Sequence, residues 1–499
     1  STRPWTMPML PPAVPARHSR PISLRDPPAG DPVTIAITGG TVVTAIDAVL
    51  ADVLIDGEIV IGVVHPDSEL SRSFAGNADQ VIDATGMYVV PGGIDAHTHL
   101  QATGQIAPVL DTFETGTIAS AFGGTTTIID FAYLTDEERL PDGFERHLAT
   151  AAGECAVDYG FHMMVSRVDG QSPIEMDLLV NEGVSSFKMF MAYPGRLYSD
   201  DGQILRMMQQ AAKNGSLIQM HAENGIAIDV IRGQAVDRGD VDPVFHGITR
   251  SPILEAEAVH RAVALSEVAG SPLYIVHLSS ANALEEVIAA RDRGLNVFAE
   301  TCPQYLFLDL DDLDRPDFQG AKFVCSPPLR PKEHQEHLWR GLRTNDLQVV
   351  ATDHCPFCWD QRQIGRDDFR NIPNGLPTLE HRMELMYQGA VAEDRVSLNR
   401  WVEMCSTAPA KMFGLYPKKG TIAPGSDADL VVFNPNSPHN LSAETHHMNV
   451  DYSCYEGMEM TGQVSKVFLR GKLVIDGVDY LGRKGDGTYI KRDVSSNLL

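Results

Sequence analysis

The spacing of apolar residues divides this chain into segments of two kinds. Near both ends, at 33–63, 420–435 and 464–477, apolar and polar residues alternate with the two-residue period of β-strands broken by glycine turns. In the long middle part, short apolar runs are separated by stretches that have the period of an α-helix. The pattern predicts that both ends build one β domain beside a central α/β unit.

The middle part contains eight apolar runs that are typical of buried parallel strands. They lie at 87–97, 125–131, 159–165, 184–190, 216–221, 272–277, 296–301 and 347–353. Two of the intervening stretches, 253–270 and 281–294, are predicted helices that end in a glycine. Eight alternating βα units close a barrel. The predicted fold class is therefore α/β, a TIM (β/α)8 barrel with a small β-sandwich domain built from both chain ends.

These patterns predict five parts. Residues 1–32 contain nine prolines and no apolar period, which predicts a disordered tail. The two parts of the β-sandwich are predicted at 33–86 and 416–478, and the barrel is predicted at 87–415. The last part, 479–499, is predicted to be a C-terminal tail.

Composition and charge narrow the class of partner. The formal charge is -26, from 40 basic and 66 acidic residues, and it opposes binding to nucleic acid or to an anionic membrane. Seven cysteines without the spacing of a disulfide framework indicate reduced thiols and a cytoplasmic protein. No apolar stretch reaches the length that spans a bilayer. The expected partner is a small molecule.

Metal-ligand residue types stand at the carboxyl ends of five predicted strands, where barrels of this class collect their chemistry. They are His97, His99, Lys188, His221, His277 and Asp353. Any one of these histidines alone is better explained as a hydrogen-bonded core residue. Four histidines and an aspartate at equivalent strand ends instead predict a metal centre. Zinc suits imidazole and carboxylate ligands best, whereas manganese, iron, cobalt or nickel are chemically possible.

Lys188 does not fit a metal centre as an ammonium group, because cations would repel it. Carbamylation by CO2 would convert its amine into an anionic ligand with two oxygens. The alternative is a lysine that reaches solvent or pairs with Asp353. The residues alone leave both possibilities open. Cys355 and Cys358 form a C-x-x-C pair, but a structural zinc or redox role is disfavoured because no second cysteine pair accompanies them.

An ordered set of motifs runs through the chain and carries a resemblance to a known family. The motifs are PGGIDAHTHL, FGGTTTIIDF, SFKMFMAY, MHAENG, LYIVHLSSANA, ETCPQYL, SPPLR, ATDHCPF, IPNGLP and STAPAKMFGLYPKKGTIAPGSDADLVVFNP. They resemble those of the dihydropyrimidinases and D-hydantoinases, which are cyclic amidohydrolases of the amidohydrolase superfamily. The resemblance covers nearly all of residues 33–485. The H-x-H pair alone would indicate only the superfamily, whereas the ordered set is specific.

The resemblance implies a centre with two divalent metal ions, with Zn²⁺ the best suited. The first ion would be bound by His97, His99, Lys188 and Asp353. The second ion would be bound by Lys188, His221 and His277. Lys188 would be N6-carboxylysine, formed with CO2, and would bridge the two ions. Relatives of this type assemble as homotetramers in which the C-terminal segment contacts a neighbouring subunit. The resemblance implies the same assembly for this chain and the same contact for residues 479–499.

The resemblance also implies a reaction, the opening of a cyclic amide by a hydroxide that the ions activate. Tyr193 would stabilise the oxyanion, and Asp353 would carry the proton to the departing ring nitrogen. Backbone groups at Ser326 and Asn374 would bind the amide and ureide edges of the substrate. The substrates would be 5,6-dihydrouracil, dihydrothymine or 5-substituted hydantoins, and the products N-carbamoyl amino acids.

The loops after the first and fourth strands, QATGQIAPVLDTFETGT and PGRLYSDDG, depart from the resembling family. Ile106, Leu197 and Tyr198 are expected to shape an apolar pocket for the ring substituent. An allantoinase or a dihydroorotase is an alternative, and the latter needs a cation such as Arg196 or Arg330 for its substrate carboxylate. A non-catalytic scaffold with degraded ligands is disfavoured, because all six ligand positions are intact.

Overall fold

The computed structural model describes residues 33–103, 106–135 and 137–494, and it confirms the predicted fold class. An eight-stranded parallel sheet forms the barrel, and a nine-stranded sheet is built from both ends of the chain. The predicted Pro-rich tail at 1–32 lies outside the described residues. The domain boundaries given above stay predictions.

The described residues form the following elements. The strands are β1 (Thr34–Val43), β2 (Ala48–Asp56), β3 (Ile59–Val64), β4 (Gln80–Asp83), β5 (Tyr88–Pro91), β6 (Gly93–Thr98), β7 (Thr125–Ala132), β8 (Asp158–Met164), β9 (Ser186–Phe190), β10 (Leu217–His221), β11 (Leu273–Ile275), β12 (Val297–Thr301), β13 (Val349–Val350), β14 (Leu430–Asn434), β15 (His439–Asn440), β16 (Glu459–Met460), β17 (Gln463–Leu469), β18 (Lys472–Asp476) and β19 (Asp479–Tyr480). The α-helices are α1 (Glu69–Ala75), α2 (Phe113–Phe122), α3 (Leu140–Ala151), α4 (Ser172–Asn181), α5 (Asp201–Asn214), α6 (Gly225–Asp237), α7 (Val244–Ile248), α8 (Pro252–Ala269), α9 (Ala281–Asp292), α10 (Pro303–Phe307), α11 (Glu333–Thr344), α12 (Trp359–Arg362), α13 (Arg382–Met386), α14 (Leu398–Val402) and α15 (Ala408–Met412). Turns of π-helix follow α13 at Tyr387–Ala392 and α14 at Glu403–Thr407, and short 3-10 helices lie at Leu310–Asp314, Gln319–Phe323, Gln363–Gly365, Phe369–Asn371 and Leu379–His381.

The barrel consists of β6 to β13, each paired in parallel with its neighbours in sequence order. The last strand is short, and side chains help to join it to the first. The backbone N–H of His99 donates to the carbonyl of His354 at 2.9 Å, and Thr98 and His354 form a parallel bridge. The Thr352 hydroxyl donates to the Asp95 carboxylate at 2.7 Å. The first and last strands are therefore held edge to edge, which closes the barrel.

The first predicted run, 87–97, is divided between the two sheets. β5 pairs with β1 and β14 in the nine-stranded sheet, whereas β6 begins the barrel. Gly92 lies between them, and a Cβ atom at this position would be 2.1 Å from the Thr126 hydroxyl oxygen. Both halves of the run are apolar and buried, so periodicity cannot show that the chain changes sheets here.

The nine-stranded sheet has the order β19-β18-β17-β14-β5-β1-β2-β3, with β4 also paired to β1. β1 pairs first with β4 and then with β5 along the same edge, and its register with β2 shifts between Ile37 and Gly40. Gly39 permits this bulge through its φ of 72°, and its N–H donates to Asp52 at 2.8 Å. The sheet has its own apolar core, separate from that of the barrel.

The two helices predicted from their glycine ends are present as α8 and α9. Gly270 ends α8 in the left-handed conformation, with a φ of 67°, and Gly294 follows α9 with a φ of 80°. A residue with a Cβ atom is strained in this conformation, which is why glycine is a useful signal for a helix end.

The described part of the C-terminal tail contacts the barrel of its own chain. Tyr489 forms a parallel bridge with Tyr159, and the buried Arg492 guanidinium donates to the Phe161 carbonyl and, at 3.0 Å, to the Ser186 hydroxyl. The predicted contact with another subunit stays a prediction. Among the described helices, none combines the length and the apolar character that a membrane span requires.

Candidate active site

The six predicted metal-ligand side chains converge at one end of the barrel. Each lies at or just beyond the carboxyl end of its strand, except Lys188, which lies within β9. They surround the floor of a cavity of about 420 Å³. Of the predicted site residues, those that line this cavity are His99, Lys188, Tyr193, His221, His277, Ser326, Asp353 and Asn374. His97 is fully buried directly beneath, in contact with Lys188 and Asp353.

The ligand atoms lie at short distances from one another. The Asp353 carboxylate oxygen Oδ1 is 3.1 Å from Nε2 of His97 and 3.1 Å from Nε2 of His99. The Lys188 Nζ atom is 2.9 Å from the same His97 nitrogen. The rings of His221 and His277 have their centroids 4.5 Å apart. The structure therefore brings together all the residues that the sequence predicted as ligands.

The donor set fits divalent metal ions. One ligand atom each from His97, His277 and Asp353 lies within 4.8 Å of the other two. The buried Nδ1 atom of His277 has no hydrogen-bond partner among the described residues, which is costly unless a ligand satisfies it. His277 and Asp353 also have positive φ angles of 39° and 51°, a strained backbone that is common at functional sites.

Burial sets the charge states of this centre. Burial lowers the pKa of Lys188 to about 8, although Asp353 and Glu300 oppose this effect, so a neutral amine is accessible near neutral pH. Burial also lowers the pKa of His99 to about 4, which leaves its ring neutral and able to bind a metal. Burial disfavours the Asp353 carboxylate, but the neighbouring His97 and the hydrogen bonds from both histidines hold its pKa well below its usual range.

Tyr193 lies above the floor, three residues after β9. It has a φ of 61°, and its carbonyl accepts hydrogen bonds from the backbone N–H groups of Arg196, Leu197 and Tyr198. Its ring centroid is 5.1 Å from that of His221, and Ser326 lines the same cavity. Burial raises the pKa of the phenol, which therefore keeps its proton and can donate a hydrogen bond into the cavity.

Ser326 and Asn374 lie on two loops that are fastened together. The Ser326 hydroxyl is 3.4 Å from the Asn374 side-chain oxygen. The fully buried Arg362 donates to the carbonyls of Val324 in one loop and of Pro373 and Gly375 in the other. Sequence reasoning missed Arg362, because an arginine in a short helix carries no signal of the two loops that it joins.

The predicted apolar pocket is present only in part. Leu197 lines the cavity, but among the residues that the structure describes, Ile106 and Tyr198 are not in its lining. Ile106 is 41% exposed, and Tyr198 bridges to the backbone of Phe190. Of the three predicted pocket residues, the structure therefore places only Leu197 at the cavity.

The two candidate cations for a substrate carboxylate lie in different places. Arg196 is exposed and lines the cavity. Arg330 is buried, lies 2.9 Å from the Glu255 carboxylate, and donates to the Ser279 hydroxyl at 2.9 Å. Arg330 is therefore committed to a structural ion pair.

The two cysteines that the sequence singled out form no disulfide, and only one of them lies at the cavity. Cys355 is buried and lines it, whereas Cys358 is half-buried outside the lining that the structure describes. The neighbouring His354 donates away from the centre, to Asp111 at 2.9 Å.

Two buried glutamates next to the ligands were not predicted. Glu300 bonds to Nδ1 of His97, and Glu223 lies 2.8 Å from Nε2 of His221. A signal was available for both. Glu300 stands near the end of the run at 296–301, and Glu223 follows His221 by two residues.

Comparison with known proteins agrees with this geometry. The amidohydrolase family matches residues 88–474. A D-hydantoinase of Streptomyces coelicolor is 58% identical over 457 residues, which are 91% of this chain and 97% of that protein. The crystal structure of a dihydropyrimidinase from Brevibacillus agri has a TM-score of 0.90 at 46% identity, covering 92% of this chain and 99% of that one. An L-hydantoinase (dihydropyrimidinase) from Arthrobacter aurescens has a TM-score of 0.84 at 28% identity, covering 92% and 100%. The chain therefore belongs to the amidohydrolase family and, within it, to the group that contains the D-hydantoinases and dihydropyrimidinases.

Proposed function

We propose that this protein hydrolyses the cyclic amide bond of 5-substituted hydantoins and of 5,6-dihydropyrimidines such as dihydrouracil and dihydrothymine. The products are N-carbamoyl amino acids. The observation that carries the proposal is the convergence of four histidines, a lysine and an aspartate at the floor of one cavity. In this cluster the Asp353 carboxylate lies 3.1 Å from the Nε2 atoms of both His97 and His99. The high identity to a D-hydantoinase supports the same substrate class.

We propose two divalent ions, most suitably Zn²⁺, in this centre. His97, His99 and Asp353 would hold one ion, and His221 and His277 the other. Lys188, carbamylated by CO2, would bridge the two ions as an anionic ligand. Its buried position among the ligands and its lowered pKa support this assignment, because CO2 reacts with a neutral amine. When bound, the ions supply Lewis acidity and lower the pKa of a water molecule toward neutrality.

The remaining steps belong to side chains of this chain. The protonated phenol of Tyr193 donates a hydrogen bond to the carbonyl oxygen of the scissile amide as negative charge develops there. Asp353 accepts the proton of the attacking water and delivers it to the departing ring nitrogen. Its low pKa keeps the carboxylate ionised before the attack, so that it is free to accept this proton. Backbone groups of the Ser326 and Asn374 loops bind the amide and ureide edges of the ring. Arg362 supports this function by joining the two loops.

We propose that the protein is a cytoplasmic homotetramer. All seven cysteines lie in the described residues and none forms a disulfide, which supports a reducing compartment. Exposed apolar side chains on three consecutive helices support self-association, because burying them against another subunit would remove them from water. These residues are Ile226 and Val230 on α6, Ile248 on α7 and Ile253 on α8.

The test is a substrate panel on protein loaded with zinc and bicarbonate. It contains dihydrouracil, dihydrothymine, both enantiomers of a 5-substituted hydantoin, allantoin and dihydroorotate, and it is repeated with Lys188→Ala. We expect turnover of hydantoins and dihydropyrimidines, and loss of both metal and turnover in the variant. Preferred turnover of allantoin or dihydroorotate would replace the proposed substrate class. If the wild-type protein fails to bind metal, the alternative of a non-catalytic scaffold would be favoured instead.

A further inference from the structure

Each half of the proposed metal centre contains one histidine whose outward nitrogen is bonded to a buried glutamate. In the first half, Glu300 bonds through Oε1 to Nδ1 of His97. In the second half, Oε2 of Glu223 lies 2.8 Å from Nε2 of His221. Both glutamates are at most 1% exposed, and neither lines the cavity that the structure describes. They cannot touch a substrate, so any function must act through the histidines.

These contacts decide which nitrogen of each ring is available to a metal. A carboxylate accepts a hydrogen bond only from a nitrogen that carries a hydrogen. Nδ1 of His97 and Nε2 of His221 therefore carry the hydrogens. The lone pair is then on Nε2 of His97, which is the atom that lies 3.1 Å from Asp353 and 2.9 Å from Lys188. In His221 the lone pair is on Nδ1. The two histidines therefore present opposite nitrogens to the centre, each fixed by its own glutamate.

Glu300 has a second connection that Glu223 lacks. The same oxygen that bonds to His97 accepts the backbone N–H of His277 at 3.1 Å. His277 belongs to the other half of the centre, and its φ of 39° requires such support. The second oxygen of Glu300 accepts the Tyr274 hydroxyl at 2.8 Å. One carboxylate thus holds a ligand from each half in place.

The charge environments of the two glutamates also differ. Arg250 lies 3.7 Å from Glu223 and offsets its charge. Within residues 33–103, 106–135 and 137–494, no lysine or arginine forms an ion pair with Glu300. Two divalent ions would bring four positive charges, of which Asp353 and carbamylated Lys188 neutralise two. Glu300 adds a third negative charge at the buried centre, so it attracts both ions.

We propose that Glu300 is a positioning residue that couples the two metal subsites, whereas Glu223 positions only the subsite that contains His221. This inference rests on the proposed function, because it requires a centre with two ions. It predicts an asymmetry. Removing the charge of Glu300 should weaken the binding of both ions, whereas removing the charge of Glu223 should weaken the binding of one.

The experiment measures the two zinc dissociation constants by chelator competition in wild type, Glu300→Gln and Glu223→Gln. Glutamine keeps the size of the side chain and an oxygen acceptor, but it removes the charge. We expect both constants to rise by about 10- to 100-fold in Glu300→Gln and only one to rise in Glu223→Gln. Anomalous scattering from crystals at limiting zinc then identifies the emptied subsite.

Tyr274→Phe is the matched control, since it removes one hydrogen bond from Glu300 and leaves the bond to His97. We expect zinc affinity to change by less than about threefold. Two further measurements separate positioning from misfolding. The three metal-free variants should melt at the same temperature as the metal-free wild type. Glu300→Gln should recover the wild-type kcat at saturating zinc, with a wild-type KM. If the wild type binds two ions, the inference is overturned when Glu300→Gln has unchanged zinc affinities or weaker binding of only one ion. A wild-type protein with fewer than two ions would instead overturn the proposed function.

Discussion

The Nζ atom of Lys188 lies 2.9 Å from the Nε2 atom of His97, and both side chains are buried at the end of the barrel. Two cations would repel each other in this buried space, so the arrangement favours an uncharged Lys188 amine beside the His97 ring. The Phe131 ring, whose centroid lies 4.2 Å from Nζ, is an apolar neighbour of this amine. This contact supports the proposed reaction of Lys188 with CO2.

Metal loading is expected to depend on CO2. Protein freed of metal by a chelator should regain two zinc ions and full turnover only when bicarbonate is supplied, and native mass spectrometry should detect the mass of one added CO2. Lys188→Arg should gain neither, because a guanidinium stays charged. Full recovery of the wild type in CO2-free buffer would contradict this prediction.

Tyr193→Phe should lower kcat by about 10²- to 10³-fold, because the phenol is the hydrogen-bond donor proposed for the oxyanion. KM and zinc content should change little, since the ring still packs near His221. Steady-state kinetics and metal quantification test this together. A variant that loses zinc in proportion to turnover would assign Tyr193 to the metal centre instead.

Gly225→Ala should disturb Tyr193 from a distance. A Cβ atom at Gly225 would lie 2.7 Å from Cα of Ala192 and 3.0 Å from the backbone nitrogen of Tyr193. We expect a loss of roughly 1–3 kcal/mol in the free energy of unfolding and a lower kcat, measured by denaturant titration and kinetics. Gly233→Ala in the same helix is the control. It meets no atom within 4 Å, and it should stabilise the protein by about 1 kcal/mol with normal turnover.

Arg362→Lys should loosen the two proposed substrate loops. Lysine keeps the charge but cannot donate to the carbonyls of both loops at once. KM should rise by about tenfold while zinc content stays normal, because the loops and not the metal ligands move. Arg366→Lys, at a nearby exposed position, should leave KM unchanged. Equal KM values in the two variants would show that Arg362 does not position these loops.

His147 should make the protein sensitive to acid. Burial lowers its pKa from 6.5 to about 4, so the unfolded chain binds this proton more readily than the folded one. The stability that depends on the neutral ring is present above pH 6.5 and is lost as the pH falls toward 4, a difference of about 3 kcal/mol. As the pH is lowered over this range, the denaturant midpoint of His147→Phe should therefore fall less steeply than that of the wild type. Replacement of the exposed His260 by Gln should leave the wild-type slope intact.

The sequence alone determined the barrel and the residues at its active end. Parallel strands of one barrel all finish at the same rim, so a residue type that recurs at strand ends must meet its counterparts in space. This geometric rule is why His97, His221, His277 and Asp353 could be grouped from their positions in the chain. Glycine at the ends of α8 and α9 could be interpreted for a similar reason, since it depends only on local backbone strain.

Only the tertiary structure decided which groups act on these residues from outside their own strands. Tyr88–Pro91 and Gly93–Thr98 are alike as apolar runs, and their assignment to different sheets depends on distant partners. Glu300 meets His97 across 203 positions of sequence, and Arg362 joins loops that are 38 and 13 residues away. Hydrophobic periodicity reports the burial of a position and not its neighbour, so contacts between remote segments become known only when the chain is folded.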